Sequence, residues 1–171
     1  MRLPILVACS LALGCASAAT AASTAAADPQ GTWMVEDKSA QIGIGICGGI
    51  LWGIVLWERN PGHDTENPDR SLRGRPTLGI PILLGMRPQG PLGPQTLWRG
   101  QIYNAQNGST YDASIKPVSP DVLHLEGCVL GGLFCGGQNW TRVKAPAGSS
   151  SAANAPADVC SRVPDLARGT H

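Results

Sequence analysis

From Gly31 onward, apolar side chains recur at every second position in short runs separated by turn residues, which is the period of a half-buried strand. The alternation is cleanest at 41–46, where Ile42, Ile44 and Ile46 face one way and Gln41, Gly43 and Gly45 the other. Tyr111, Ala113 and Ile115 alternate in the same way with Thr110, Asp112, Ser114 and Lys116, and Trp33 and Val35 share a face of the first strand. The run Leu51–Trp57 is apolar on both faces, which predicts a strand covered on two sides, or one that lines a cavity or a contact surface. Asn107-Gly108 predicts a tight hairpin, because glycine accepts the positive φ such turns require. Leu97–Tyr103, Val122–Val129 and Gly137–Val143 bring the count to seven or eight strands, and helical periodicity is nearly absent. Pro76–Met86 reads as an edge strand or a short turn of helix, since Pro81 has no N–H for a central ladder. Consecutive antiparallel strands with one apolar face leave two raw edges unless the sheet closes. The expected fold is therefore all-β, a small antiparallel up-and-down barrel spanning 28–144.

The two ends of the 171-residue chain have a different character. Residues 1–27 combine Arg2, an apolar run from Leu3 to Leu13 and small residues ending in Ala25-Ala26-Ala27, the pattern of a cleavable secretory leader. The apolar run is shorter than a bilayer requires. The expected location of the mature chain is thus the periplasm or the exterior. Cys15, after Ala12-Leu13-Gly14, leaves open a second reading in which this thiol carries a lipid anchor. Residues 145–171 are rich in Ala, Pro, Ser and Gly and read as a disordered tail, with Cys160 as a point where a disulfide would pin it to the barrel.

Charge narrows the list of partners. The chain has 13 basic and 12 acidic residues, and removing 1–27 removes Arg2 and no acid, which leaves 12 of each. No cluster of basic groups is present to displace phosphate counterions, so nucleic acid is not an expected partner. Cys47, Cys128, Cys135 and Cys160 remain after the leader, an even number that in an exported chain points to disulfides. Three pairings are possible.

Candidate chemistry is sparse. The segment from His63 to Arg75 gathers Asp64, Glu66, Asn67 and Asp69, but the calcium-loop spacing and its bidentate terminal Glu are missing. The segment reads instead as a capped loop in which Asn67-Pro68-Asp69 turns the chain and Arg70, Arg73 and Arg75 pair with the carboxylates. At a barrel mouth such a loop is also a candidate recognition surface. His63, His124 and His171 share no metal-ligand spacing, no nucleophile motif is visible, and neither a metal nor a cofactor is expected. Five Trp against one Phe are more distinctive. Trp33, Trp98 and Trp140 read as core or barrel-closing groups. Trp52 and Trp57, on opposite faces by simple alternation, place at least one indole toward the lumen or the outer surface, where it would contact a ligand or partner.

Gly31-Thr32-Trp33 at the start of the first strand resembles the Gly-x-Trp of lipocalin-like barrels. That resemblance implies that Trp33 closes one end of the barrel and that an Arg of the last strand, here Arg142, packs across it, as guanidinium on indole. The span Gly31–Val143 more specifically resembles the bacterial domain-of-unknown-function family 2147, small exported proteins of lipocalin-like shape. The match is carried by Gly31-Thr32-Trp33, by Leu51-Trp52-Gly53-Ile54-Val55, and by Asp64 through Asn67-Pro68-Asp69 to Arg73-Gly74-Arg75-Pro76. Gly100-Gln101-Ile102-Tyr103, Gly108, Tyr111 and Trp140-Thr141-Arg142-Val143 complete it. Relatives often carry Cys at the position of Trp52, so the resemblance implies an altered pairing, Cys47 with Cys135 and Cys128 with Cys160. The family supplies no reaction. The leading expectation is a non-enzymatic module binding a small apolar molecule in the cell envelope. The alternative is an envelope interaction or structural protein acting through its outer surface, and an enzyme ranks third.

Overall fold

A computed structural model describes residues 27–144 and 158–162; the expected leader, Cys15 and most of the expected tail lie outside these described residues. Eight antiparallel strands follow one another in order: β1 (Gly31–Met34), β2 (Ala40–Cys47), β3 (Ile50–Glu58), β4 (Pro81–Pro88), β5 (Trp98–Asn104), β6 (Ser109–Ser119), β7 (Val122–Val129) and β8 (Phe134–Arg142). Each pairs with the next, and β1 pairs with β8 to close the barrel. The expected all-β barrel is therefore the fold found, with closure removing both sheet edges. Short 3-10 turns occupy Arg70–Leu72 and Leu130–Gly132.

Odd-numbered strands all run toward one end, the mouth, where the β1–β2 turn, the 59–80 loop and the β5–β6 and β7–β8 hairpins lie. The other end is closed by large side chains. Trp33, Trp98 and Trp140 are buried in the interior with Ile44, Leu51, Met86 and Ile115. Trp33 donates its indole N–H to the Pro29 carbonyl at 2.8 Å, and Arg142 lies across the ring with Cζ 4.1 Å from its centroid. The same guanidinium donates to the carbonyls of Pro120 at 2.6 Å and Gln30 at 2.7 Å, so one charge ties the entry segment, the β6–β7 turn and the last strand together.

Two expectations about strands are corrected. Pro76–Met86 is neither an edge strand nor a helical turn at its core: β4 is a full barrel strand between β3 and β5. Pro81 is tolerated because it opens the strand, opposite Ile54 at a register shift, where no ladder N–H is needed. Trp57 does not face away from Trp52. A bulge in the β2–β3 pairing makes Leu56 the extra residue, so Trp57 pairs with Gln41 and shares the outer face with Trp52, which pairs with Gly45.

The apolar character of both faces of β3 has a direct cause. Leu51 and Val55 point into the core, while Trp52 and Ile54 form an outer stripe covered by Val159. Val159 belongs to a helical turn at 158–162, so these five residues of the expected disordered tail are ordered on the barrel wall. They are held there by a Cys47–Cys160 disulfide, and the second disulfide joins Cys128 to Cys135. The implied pairs Cys47–Cys135 and Cys128–Cys160 are thus incorrect. Cys47 ends β2 at the closed end and Cys135 begins β8 at the mouth, a barrel length apart, whereas Cys128 and Cys135 are direct register partners.

Candidate functional site

The barrel is filled at one end and hollow at the other. Several inward positions of the mouth half are small: Ala40 on β2, and Gly127 and Gly136, which face each other across β7 and β8 with no side chain between them. A cavity of about 490 Å³ results, within the range of small-molecule sites. Its floor is Ile42, Val55, Ile102, Leu125 and Trp140; its rim carries Asp37, Glu58, Arg59, Asn104, Gln106 and Tyr111. Trp140 is 1% exposed and its indole N–H has no acceptor among the described residues. An apolar floor, a buried donor and a polar rim can hold a small apolar body with a polar end.

The residues expected from sequence to contact a ligand are placed elsewhere. Trp52 is 9% exposed beneath Val159, and Trp57 is 42% exposed on the outer wall; neither borders the cavity. The expected loop residues do converge, but on each other. Asp64 is fully buried and accepts hydrogen bonds from the Tyr103 hydroxyl at 2.6 Å, Asn67 Nδ2 at 2.7 Å, and Arg75 Nε and Nη2 at 3.0 and 2.8 Å. Burial pushes the Asp64 carboxyl up. The bonds from Tyr103, Asn67 and Arg75, with the Arg75 charge, outweigh that and hold it below its ordinary value. The Tyr103 hydroxyl is pushed up to about 12 by burial and by donating to Asp64.

This cluster fastens the 59–80 loop against the outer face of β5, from which Tyr103 points outward. Asp69 caps the 3-10 turn by accepting from the Ser71 N–H at 2.9 Å, and Arg73 donates to the Asn67 carbonyl at 2.7 Å. Of Arg70, Arg73 and Arg75, only Arg75 pairs with a carboxylate among the described residues, which corrects the expectation for the other two. Glycine at 108 makes the fastening possible: its φ is +67°, and a Cβ there would collide with the Glu66 carbonyl. A second cavity of about 460 Å³ lies under the loop, bordered by Asn67, Asp69, Arg75, Leu84, Gln101 and Tyr103.

Sequence reading missed the lumen residues. Gly127, Gly136 and Gln138 carried a signal, since small or polar residues at inward positions of a barrel strand mark unfilled space, but reading it required the register of β7 on β8. Glu126 lies near Cys128 and Cys135, yet the two thiols are consumed in the disulfide and offer no thiolate to a metal.

Known proteins agree with this architecture. No curated protein matches the chain. A solved structure described as "Protein HP1028 from the human pathogen Helicobacter pylori belongs to the lipocalin family" matches with a TM-score of 0.61 at 19% identity. The match covers 68% of this chain and 84% of that one, and at this identity it bears on fold alone. The family model described as "Uncharacterized protein conserved in bacteria (DUF2147)" matches residues 31–142, the span of the closed barrel from the first residue of β1 to the last of β8. The chain belongs to the DUF2147 family.

Proposed function

We propose that the chain is a non-enzymatic binding module whose lumen takes a small, largely apolar molecule with a hydrogen-bond acceptor. The observation that carries this reading is the hollow mouth half of the barrel, with its aliphatic floor and with Trp140, whose indole N–H is unpaired among the described residues, in its lining. Burying an apolar ligand there removes surface from water at about 25 cal/mol per Å², and an acceptor on the ligand would satisfy a donor that is otherwise stranded. The working compartment proposed is the periplasm or exterior, because two disulfides persist where the medium is oxidising and residues 1–27 read as a leader.

Filling the lumen tests the proposal. Gly136 has a negative φ and nothing within 4 Å of a Cβ built on it, so Gly136→Leu enters open space without strain. The wild type is expected to bind the apolar probe N-phenyl-1-naphthylamine, with Gly136→Leu weakening binding about tenfold or more at unchanged thermal stability. Equal binding by the two proteins would place the ligand outside the lumen. Native mass spectrometry of protein purified from its own cells then reads the mass of any retained molecule.

A further inference from the structure

The tip of the β7–β8 hairpin is the most exposed apolar surface of the described molecule. Val129 and Phe134 form the last register pair, and the chain turns through Leu130-Gly131-Gly132-Leu133. Leu130, Leu133 and Phe134 are 70%, 77% and 66% exposed, and Val129 is 39% exposed. No charged residue occurs between Glu126 and Arg142. A folded chain ordinarily hides such a cluster, and contiguous exposed apolar groups mark contact sites. Here the backbone holds them out: Leu130 has a φ of +50°, a region leucine rarely adopts, followed by Gly131 and Gly132 at +65° and +95°. The Cys128–Cys135 disulfide closes this loop at its base.

We propose that this hairpin inserts into the surface of a lipid bilayer and seats the barrel mouth-down on it. Two features favour a bilayer over a protein groove. The tip projects aliphatic and aromatic side chains with no polar side chain among them, so it carries nothing for a partner's polar rim to pair with. A second exposed apolar group stands on the opposite wall at the same end: Trp57, near the end of β3, lies four strands from β7 in the eight-stranded ring. One broad flat surface can meet both, which a groove fitted to the hairpin alone cannot, and an exposed indole suits a headgroup layer. The inference does not depend on the lumen holding a ligand.

Vesicle flotation tests it, using the chain from Asp28 to His171, which keeps the closed barrel and the 158–162 turn. With vesicles of equal parts phosphatidylethanolamine and phosphatidylglycerol, the wild type is expected to float with the lipid. Because the tip is uncharged, binding should persist in about 0.5 M salt, where exposed charge attraction is largely screened. The variant Leu130→Asn, Leu133→Ser, Phe134→Ser keeps a residue that tolerates positive φ at 130. It is expected to lower the lipid-bound fraction about tenfold or more while its circular dichroism and N-phenyl-1-naphthylamine binding stay as in the wild type. A wild type that remains with the unbound protein, or a variant that floats equally well, overturns the proposal. So does a concentration-dependent dimer of the wild type that the three substitutions dissolve, which would make a second copy the occupant.

Discussion

A single buried carboxylate does more for this molecule than its position in a loop suggests. Asp64 has no solvent contact and accepts four side-chain hydrogen bonds, so Asp64→Asn, which removes the charge and strands Arg75, should destabilise by about 2–3 kcal/mol in urea unfolding. Its pKa is lowered on folding, so its stabilisation is complete above the ordinary aspartate value of about 3.9 and is lost as pH falls through the folded value. The stability gap between wild type and Asp64→Asn should therefore be constant from neutral pH to about 5 and close below about 4. Tyr103 has the opposite sense. A phenol raised to about 12 contributes below the ordinary value of about 10 and loses that contribution between the two, a loss that Tyr103→Phe should abolish. The residue types of this cluster were legible in the sequence: Asp64, Asn67 and Arg75 stood out as polar groups gathered in one segment. Their role was not, because the hydroxyl that completes the cluster sits 39 residues away on β5. Arg142 and Trp33 were legible as a pair only through resemblance to a known barrel, since nothing local links residues in the first and last strands.

Elements announced themselves where apolar residues alternate with small or polar ones. β2 and β6 both follow that alternation and lie where it places them, β6 with a wet outer face and β2 with its outward Gly43 and Gly45 buried as well. Where alternation failed, the cause is specific. β3 is apolar twice over because the barrel core lies on one side and the 158–162 turn on the other, and its bulge at Leu56 reverses the face expected for Trp57. β4 was obscured by Pro81 at its start and by Gly85 with φ +57° inside it. The neighbouring strand carries a constraint of the same kind. A Cβ on Gly100 would sit 2.7 Å from the Leu84 carbonyl oxygen and 2.8 Å from Met86 Cα, both backbone atoms that cannot rotate away. Gly100→Ala should accordingly separate β4 from β5 and cost about 1–3 kcal/mol, read by thermal unfolding. Gly136→Ala, in the open lumen, should leave stability within about 0.5 kcal/mol.

At the scale of the whole molecule, the two disulfides do unequal work because they close loops of very different length. Cys128 and Cys135 are 7 residues apart in sequence and already opposed across a hairpin, whereas Cys47 and Cys160 are 113 apart and join the wall to the far end of the chain. In the loop-entropy account the short crosslink stabilises by about 2 kcal/mol and the long one by nearly 5 kcal/mol, with native strain reducing either figure. The long one has a second effect. It keeps Val159 on Trp52 and Ile54, so its removal uncovers an indole and a branched aliphatic chain on a wall that otherwise needs no cover. Replacing Cys47 and Cys160 together by Ser should therefore lower stability by more than replacing Cys128 and Cys135. It should also shift tryptophan emission to the red as Trp52 meets water, while the closed barrel persists because none of its eight pairings involves the 158–162 turn. An unshifted emission in the Cys47→Ser, Cys160→Ser variant would mean that packing of Val159 alone holds the turn in place, and the crosslink would then act only on the unfolded chain.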